Sequence, residues 1–170
     1  NTIGHYNVFL GSSAGDKNTE GYYNTFIGYV SGNSNTTGNM NVFLGNNSGW
    51  ANTIGSSNVF LGSLSGTENT EGGSNVYLGN RSGMSNVLGN SNVMIGNNSG
   101  ELALSGNNNV FLGNRSGRSN EASYNTFIGY QSGRTNTTGE YNSFMGYNAG
   151  FSNTLGNNNV FIGTETGYLN

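Results

Sequence analysis

The sequence contains no cysteine and no proline, and charged residues make up only 8% of its 170 residues. The absence of cysteine excludes a disulfide scaffold, and a single histidine leaves no ligand set for a zinc site. Five lysines and arginines against eight acidic residues argue against nucleic-acid binding through a basic surface. No apolar run approaches the roughly 20 residues of a transmembrane helix, so we expect no membrane insertion of this segment.

What the sequence holds in excess is glycine and asparagine, with 30 and 34 residues respectively. Both are poor helix formers, which makes a helical protein improbable. Hydrophobic residues reach only 32%, a composition that disordered chains also show. The order in which the residues occur, however, favours a folded chain.

A repeat of 17 residues runs through the whole chain. The motif Asn-Val-Phe-Leu-Gly at 7–11 recurs at this spacing, except for one interval of 16 between Asn109 and Asn125. Nearly all the glycines fall in three columns, at positions 5, 9 and 15 of the unit. We therefore treat 1–170 as a single repeat array, with partial units at both ends, and expect it to be a fragment of a longer fibre. The units start at residues 7, 24, 41, 58, 75, 92, 109, 125, 142 and 159.

The unit predicts one coil of an all-β, parallel β-solenoid of about ten coils. Asn-Val-Phe-Leu-Gly has the composition of a short strand, and a second extended segment is expected at x-x-Asn-Thr-x. Glycine at fixed positions suits corners where φ is positive. One coil cannot bury its own strand, so coils must stack. With strands about 4.8 Å apart, ten coils give a rod on the order of 48 Å long.

Two irregular coils test the period. We expect the deletion near Ser123 and Tyr124 to be absorbed in the turn that normally carries the position 15 glycine. The unit at 101–105 lacks the Asn-Thr pair, and we expect it to keep the path of the coil. The strands on either side should stay in register.

Stacking places like residues above like, which predicts ladders along the axis. Stacked asparagine amides can hydrogen-bond to one another, as in cross-β stacks. The sequence therefore predicts a structural asparagine ladder, interrupted at Ala103, formed by Asn18, Asn35, Asn52, Asn69, Asn86, Asn120, Asn136 and Asn153.

Both faces of the strand are apolar in almost every unit, although a coil of this size has only one interior. Side chains alternate between faces, so positions 2 and 4 point one way and position 3 the other. The face left outside would be an apolar stripe along the rod, which soluble monomers rarely expose. We therefore expect an obligate oligomer. Its interface is predicted at the position 3 column of Phe9, Phe26, Phe43, Phe60, Tyr77, Met94, Phe111, Phe127, Phe144 and Phe161.

The motif Asn-Val-Phe-Leu-Gly-x-x-Ser-Gly resembles the head repeats of trimeric autotransporter adhesins of the YadA type. Units such as Asn24–Tyr29 and Asn125–Tyr130 also resemble asparagine- and glycine-rich repeats of bacterial surface fibres and phage tail-fibre-like proteins. The resemblance implies a left-handed β-roll packed as a homotrimer, outside the cell or at its surface. It further implies that positions 2 and 4 fill the coil while the phenylalanine ladder faces the partner chains. The YadA-type repeat is shorter, and its middle strand residue is small.

No pattern predicts catalysis, a metal site or a cofactor. The carboxylates are scattered, and His5 has no nucleophile column near it. A calcium-binding nonapeptide roll needs recurring aspartate, and Asp16 is the only one. Glycosylation sequons occur at Asn35, Asn46, Asn80, Asn97, Asn114 and Asn136, a number that this composition produces by chance.

The function we expect is that of a structural rod in an extracellular fibre that adheres to a host or surface. Its partners would be copies of itself and a surface glycan or host-cell receptor. The variable positions carry Tyr, Trp and Arg, which are common anchors of recognition but also occur singly on ordinary surfaces. Two alternatives stay open: a filament of solenoids stacked end to end, and an ice-binding solenoid. The latter would use the column of Thr19, Thr36, Thr53, Thr70, Thr137 and Thr154.

Overall fold

A computed structural model describes residues 1–170, and it contains ten short strands and no helix. Each strand occupies positions 2 to 4 of one unit, where β-branched and aromatic residues stand between the conserved asparagine and glycine. The strands are β1 (Val8–Leu10), β2 (Thr25–Ile27), β3 (Val42–Leu44), β4 (Val59–Leu61), β5 (Val76–Leu78), β6 (Val93–Ile95), β7 (Val110–Leu112), β8 (Thr126–Ile128), β9 (Ser143–Met145) and β10 (Val160–Ile162).

The ten strands form one parallel sheet in sequence order, from β1 to β10. Every pairing places a residue beside its counterpart in the next unit, as Phe26 beside Phe43 and Phe43 beside Phe60. The chain is therefore a parallel β-solenoid in which one 17-residue unit makes one turn. This confirms the fold class predicted from the repeat.

The second strand predicted in each unit is absent. At Thr19 the chain bends, and three successive amides, of Thr19, Glu20 and Gly21, donate to one carbonyl oxygen, that of Thr36, at 3.0–3.1 Å. Such convergence is incompatible with an extended ladder, in which alternate amides point to opposite sides. The Asn-Thr segment thus forms a tight corner that is held to the next coil by a single carbonyl.

The position 3 column lies inside the coil, so its predicted role as the interface between chains is wrong. In eight of the ten coils this side chain is no more than 1% exposed within a single chain. The two members in the end coils, Phe9 and Phe161, are partly exposed. The rings stack at centroid separations of 4.8–5.2 Å along the axis. The buried column consists of Phe9, Phe26, Phe43, Phe60, Tyr77, Met94, Phe111, Phe127, Phe144 and Phe161.

Glycine is required in two columns because of two different close approaches. At position 9 a Cβ would overlap the ring of the same coil, as Gly49 shows with Phe43. At position 5 a Cβ would overlap the glycine carbonyl of the next coil, as between Gly45 and Gly62. Both columns also have positive φ, which side chains rarely adopt. The position 3 ring therefore fills the space that the missing side chain at position 9 leaves, which explains why it faces inward.

Positions 7 and 17 hold twenty non-glycine residues in the left-handed region, with φ between 48° and 62°. These are the corners on either side of the strand. Left-handed backbone costs roughly 1–2 kcal/mol for most residues, and asparagine tolerates it best. Val30, with φ 48°, is the single β-branched residue among them. The backbone at these two corners is therefore strained wherever the residue is neither glycine nor asparagine.

The two irregular coils keep their register, as predicted. In the short coil the carbonyl of Ala122 accepts from Asn109 Nδ2 at 2.9 Å, the role that Gly38 plays for Asn24 at 2.8 Å. Phe111 still pairs with Phe127. In the unit at 101–105, Ala103 is buried where asparagine usually stands, and Met94 still pairs with Phe111. The deletion is thus confined to one corner.

Replacing Phe43 with alanine should lower the free energy of unfolding by about 3–5 kcal/mol, because it opens a cavity between two stacked rings. Chemical denaturation followed by circular dichroism measures this. The neighbouring outward substitution, Leu44→Ala, is the control and should cost clearly less. Equal costs for the two variants would contradict the inward assignment.

Replacing Val30 with asparagine should raise the free energy of unfolding by about 1 kcal/mol, because asparagine relieves the left-handed strain. Asn47 and Asn98 already occupy this position in other coils. Val30→Thr keeps the branched Cβ and should give no gain. A thermal melt of the three proteins distinguishes these outcomes, and stabilisation by threonine would count against strain as the cause.

Candidate functional site

The predicted asparagine ladder is a buried hydrogen-bonded column. Asn35 Nδ2 donates to Asn18 Oδ1 of the previous coil at 2.7 Å and to Gly38 O of its own coil at 3.0 Å. The same pattern recurs at Asn52 and Asn153. Each amide thus links two coils and closes a corner. All the members are buried: Asn18, Asn35, Asn52, Asn69, Asn86, Asn120, Asn136 and Asn153.

The ladder has a break that the sequence did not reveal. The buried Tyr77 hydroxyl donates to Asn86 Oδ1 at 3.0 Å, and Asn86 Nδ2 turns to Ala103 O at 2.9 Å. As a result Asn69 Oδ1 has no hydrogen-bond partner. Burial raises the pKa of Tyr77 above its ordinary value, so this hydroxyl keeps its proton.

A second asparagine column, at position 1, has a structural role that sequence reasoning missed. Asn24 Oδ1 accepts the backbone amide of Asn41 at 3.0 Å, and Asn24 Nδ2 donates to Gly38 O at 2.8 Å. Each position 1 side chain therefore adds a hydrogen bond between consecutive coils. The signal was present, since this asparagine occurs in all ten units.

Five of the six hydroxyls in the threonine column donate to a backbone carbonyl of the next coil. Thr19 Oγ1 donates to Thr36 O at 3.2 Å, and Thr36 Oγ1 donates to Thr53 O at 3.1 Å. Thr53, Thr70 and Thr137 make the same bond to the next coil. These hydroxyls therefore hold the corner, an observation that does not favour the ice-binding alternative.

The outward face of the sheet is formed by twenty residues, at positions 2 and 4, of which seventeen are apolar and three, Thr25, Thr126 and Ser143, carry a hydroxyl. Val42 and Leu44 are half-buried by neighbouring coils, whereas Val160 and Ile162 at one end are 69% and 68% exposed. None of the twenty is charged. At β9 the small Ser143 leaves a shallow depression lined by Thr126, Met145 and Ile162. This face is the stripe that the sequence predicted on the opposite side of the strand.

The turn after each strand carries the variable polar and aromatic residues. In the C-terminal half these residues form short surface ladders, with Tyr130 stacked on Tyr147 at 5.4 Å and Phe151 on Tyr168 at 4.9 Å. The Arg134 guanidinium lies 5.3 Å from the centre of the Phe151 ring. Exposed aromatic rings and arginines therefore meet at one corner of the rod.

The ionisable side chains form no converging catalytic arrangement. His5 stacks on Tyr22 at 5.5 Å, and Glu101 forms ion pairs with Arg118 at 2.7 Å and Arg81 at 3.5 Å. No three side chains of the metal-binding types gather in one place. The fold also has no helix with the length and hydropathy needed to cross a bilayer.

Comparison with models of protein families, with curated proteins and with solved structures finds no match to this chain. The likeness to adhesin head repeats therefore stays a likeness of motif. Function has to be inferred from the surfaces described above, namely the outward sheet face and the aromatic and arginine-bearing turn.

Replacing Asn52 with alanine should cost about 1–3 kcal/mol of folding stability, because it leaves the buried Asn35 Oδ1 without a hydrogen-bond partner. Gly55 O and Asn69 Nδ2 each lose one of two hydrogen bonds. Denaturant titration measures the change. Asn46 is exposed, so Asn46→Ala serves as the control and should change stability by less than about 0.5 kcal/mol. Similar losses at both sites would show that the ladder adds nothing specific.

Proposed function

We propose that the chain is a structural rod segment of an extracellular fibre, and that copies of it associate along the outward face of the sheet. The observation that supports this most is the uncharged, predominantly apolar face that continues over all ten strands. Nine strand spacings make it on the order of 43 Å long. A contiguous patch of this kind is typical of an interaction surface.

The interface would then lie at positions 2 and 4 and not at the phenylalanine column. An oligomer is still expected, because one apolar face of the strand stays outside the coil. Burial of apolar surface contributes about 25 cal/mol per Å², and the strand face offers such surface in every coil. The resemblance to YadA-type heads suggests three chains and left-handed winding.

The rod would act mechanically. In-register coils with buried rings and buried amides resist bending and local opening, because each coil is bonded to both neighbours. Low charge and abundant asparagine keep its remaining surface hydrated. The turn residues would then be carried at a distance from the cell, where they can contact a glycan, a receptor or another surface.

Placing lysines in the outward face should release single chains. We expect the double variant Leu44→Lys with Leu61→Lys to lower the molecular mass measured by sedimentation velocity to that of one chain, because buried ammonium groups would repel across the interface. The lysine stems can lie along the sheet with their charges in water, so each coil should keep its fold.

The matched control is Thr37→Lys with Ile54→Lys, which adds the same charge at an exposed corner on neighbouring coils. This variant should sediment like the parent. A parent that is already monomeric at every concentration tested would refute association along this face. Circular dichroism of all three proteins verifies that the solenoid is intact.

A further inference from the structure

Four of the five cationic residues lie at one corner of the rod. Arg81 and Arg115 occupy position 7, and Arg118 and Arg134 occupy position 10, all on the turn that follows the strand. The same turn of these coils carries only one carboxylate among the four arginines, that of Glu101. The fifth cation, Lys17, is near the N-terminal end, and the other acidic residues lie on other coils or at other positions of the unit. An acidic chain therefore carries a concentrated patch of positive charge, which we call the arginine corner.

The arginine corner is held in place by packing and pairing. Glu101 is 5% exposed, and it accepts from Arg118 Nε at 2.7 Å while lying 3.5 Å from Arg81 Nη1. One buried carboxylate thus orients two guanidinium groups on either side of it. Their remaining N–H groups are free to bind, and arginine presents them in a rigid fork.

The other two arginines have no acidic partner. Arg115 is exposed and forms no ion pair. Arg134 lies over the Phe151 ring, and its Nε has no hydrogen-bond partner although it is buried. Arg118 and Arg134 are one coil apart in the same column. Arg118 turns toward Glu101 of the preceding coil and Arg134 toward Phe151 of the following coil. The positive charges of Arg115 and Arg134 are thus left without a carboxylate, and an anion from outside would neutralise them.

The spacing of the corner suits an extended ligand. From the coil of Arg81 to that of Arg134 there are three coil steps, about 14 Å along the axis. Stacked Tyr130 and Tyr147 stand on the same turn and offer apolar edges and hydroxyls. A ligand lying along the rod would meet several guanidinium forks and aromatic edges in succession.

We propose that the arginine corner binds an acidic polysaccharide, with the carboxylates or sulfates of the sugar chain lying along the rod axis. A polysaccharide carries its charges at intervals and can place them on this corner alone. A nucleic acid has continuous, dense charge and would be repelled by the surrounding acidic surface. This proposal depends on the role of the chain as a surface rod for its biological meaning, although the arginine corner lies within a single chain.

The test is binding of two short oligosaccharides, a sulfated heparin fragment and a carboxylated hyaluronan fragment, measured by isothermal titration at low and moderate salt. Arg115→Gln and Arg134→Asn remove one charge each, and Gln131 and Asn33 already occupy these positions in other coils. We expect each variant to weaken binding about three- to fivefold and the pair about tenfold. Each should also reduce the slope of log K against the logarithm of the salt concentration by about one.

Lys17→Gln is the matched control, because it removes the same charge outside the corner and should leave binding within about 1.5-fold of the parent. The heparin and hyaluronan arms decide between sulfate and carboxylate, and binding of either one supports the proposal. Equal losses for Lys17→Gln and Arg115→Gln would overturn it. So would binding of neither oligosaccharide, or tighter binding of single-stranded DNA.

The same samples are examined by sedimentation to keep the two proposals separate. Loss of binding in a variant that keeps the parental mass concerns the arginine corner alone. A parent that is monomeric yet binds the oligosaccharide would refute association along the sheet face and leave the arginine corner supported.

Discussion

Hydrogen bonds parallel to the rod axis, between each residue and its counterpart one unit away, determine almost everything else in this molecule. Once the backbone of one coil is bonded to the next in register, each side chain must fit directly above its own kind. Residues that stack well on themselves are then favoured, such as phenylalanine rings and asparagine amides. Residues with a Cβ are excluded wherever two backbones approach closely, which is why glycine occupies position 5 in every unit.

The interior is correspondingly unusual, since rings fill one part and amides fill the rest. A coil of 17 residues encloses too little apolar surface to be stable alone, and nearly all the polar side-chain atoms buried inside it are paired. The position 1 asparagine accepts a backbone amide and donates to a carbonyl, while the position 8 serine donates to the backbone of the next coil, as Ser31 does to Phe43 O at 3.0 Å. The hydroxyl of Tyr77 has no counterpart in the other coils, and where it bonds to Asn86 the side-chain oxygen of Asn69 loses its partner.

The solenoid, its period, the register across the deletion and the asparagine ladder could all be predicted from the sequence, because self-similarity directly reports which positions stack. Alternation alone could not predict which face of the strand points into the coil, because the valine and leucine of one face and the phenylalanine of the other are all apolar. The useful signal was the glycine at position 9, whose absent side chain provides the room for a ring on that side. The second strand was predicted wrongly because the Asn-Thr pair looked extended, whereas the convergence of three amides on Thr36 O depends on the neighbouring coil.

Because each coil contacts only the coils before and after it, a change in the number of units alters no contact other than the one at the join. Duplication or loss of a whole unit in the gene would lengthen or shorten the rod by one step of about 4.8 Å and leave every other coil as it was. The length of the rod could thus vary among descendants without any new solution to folding.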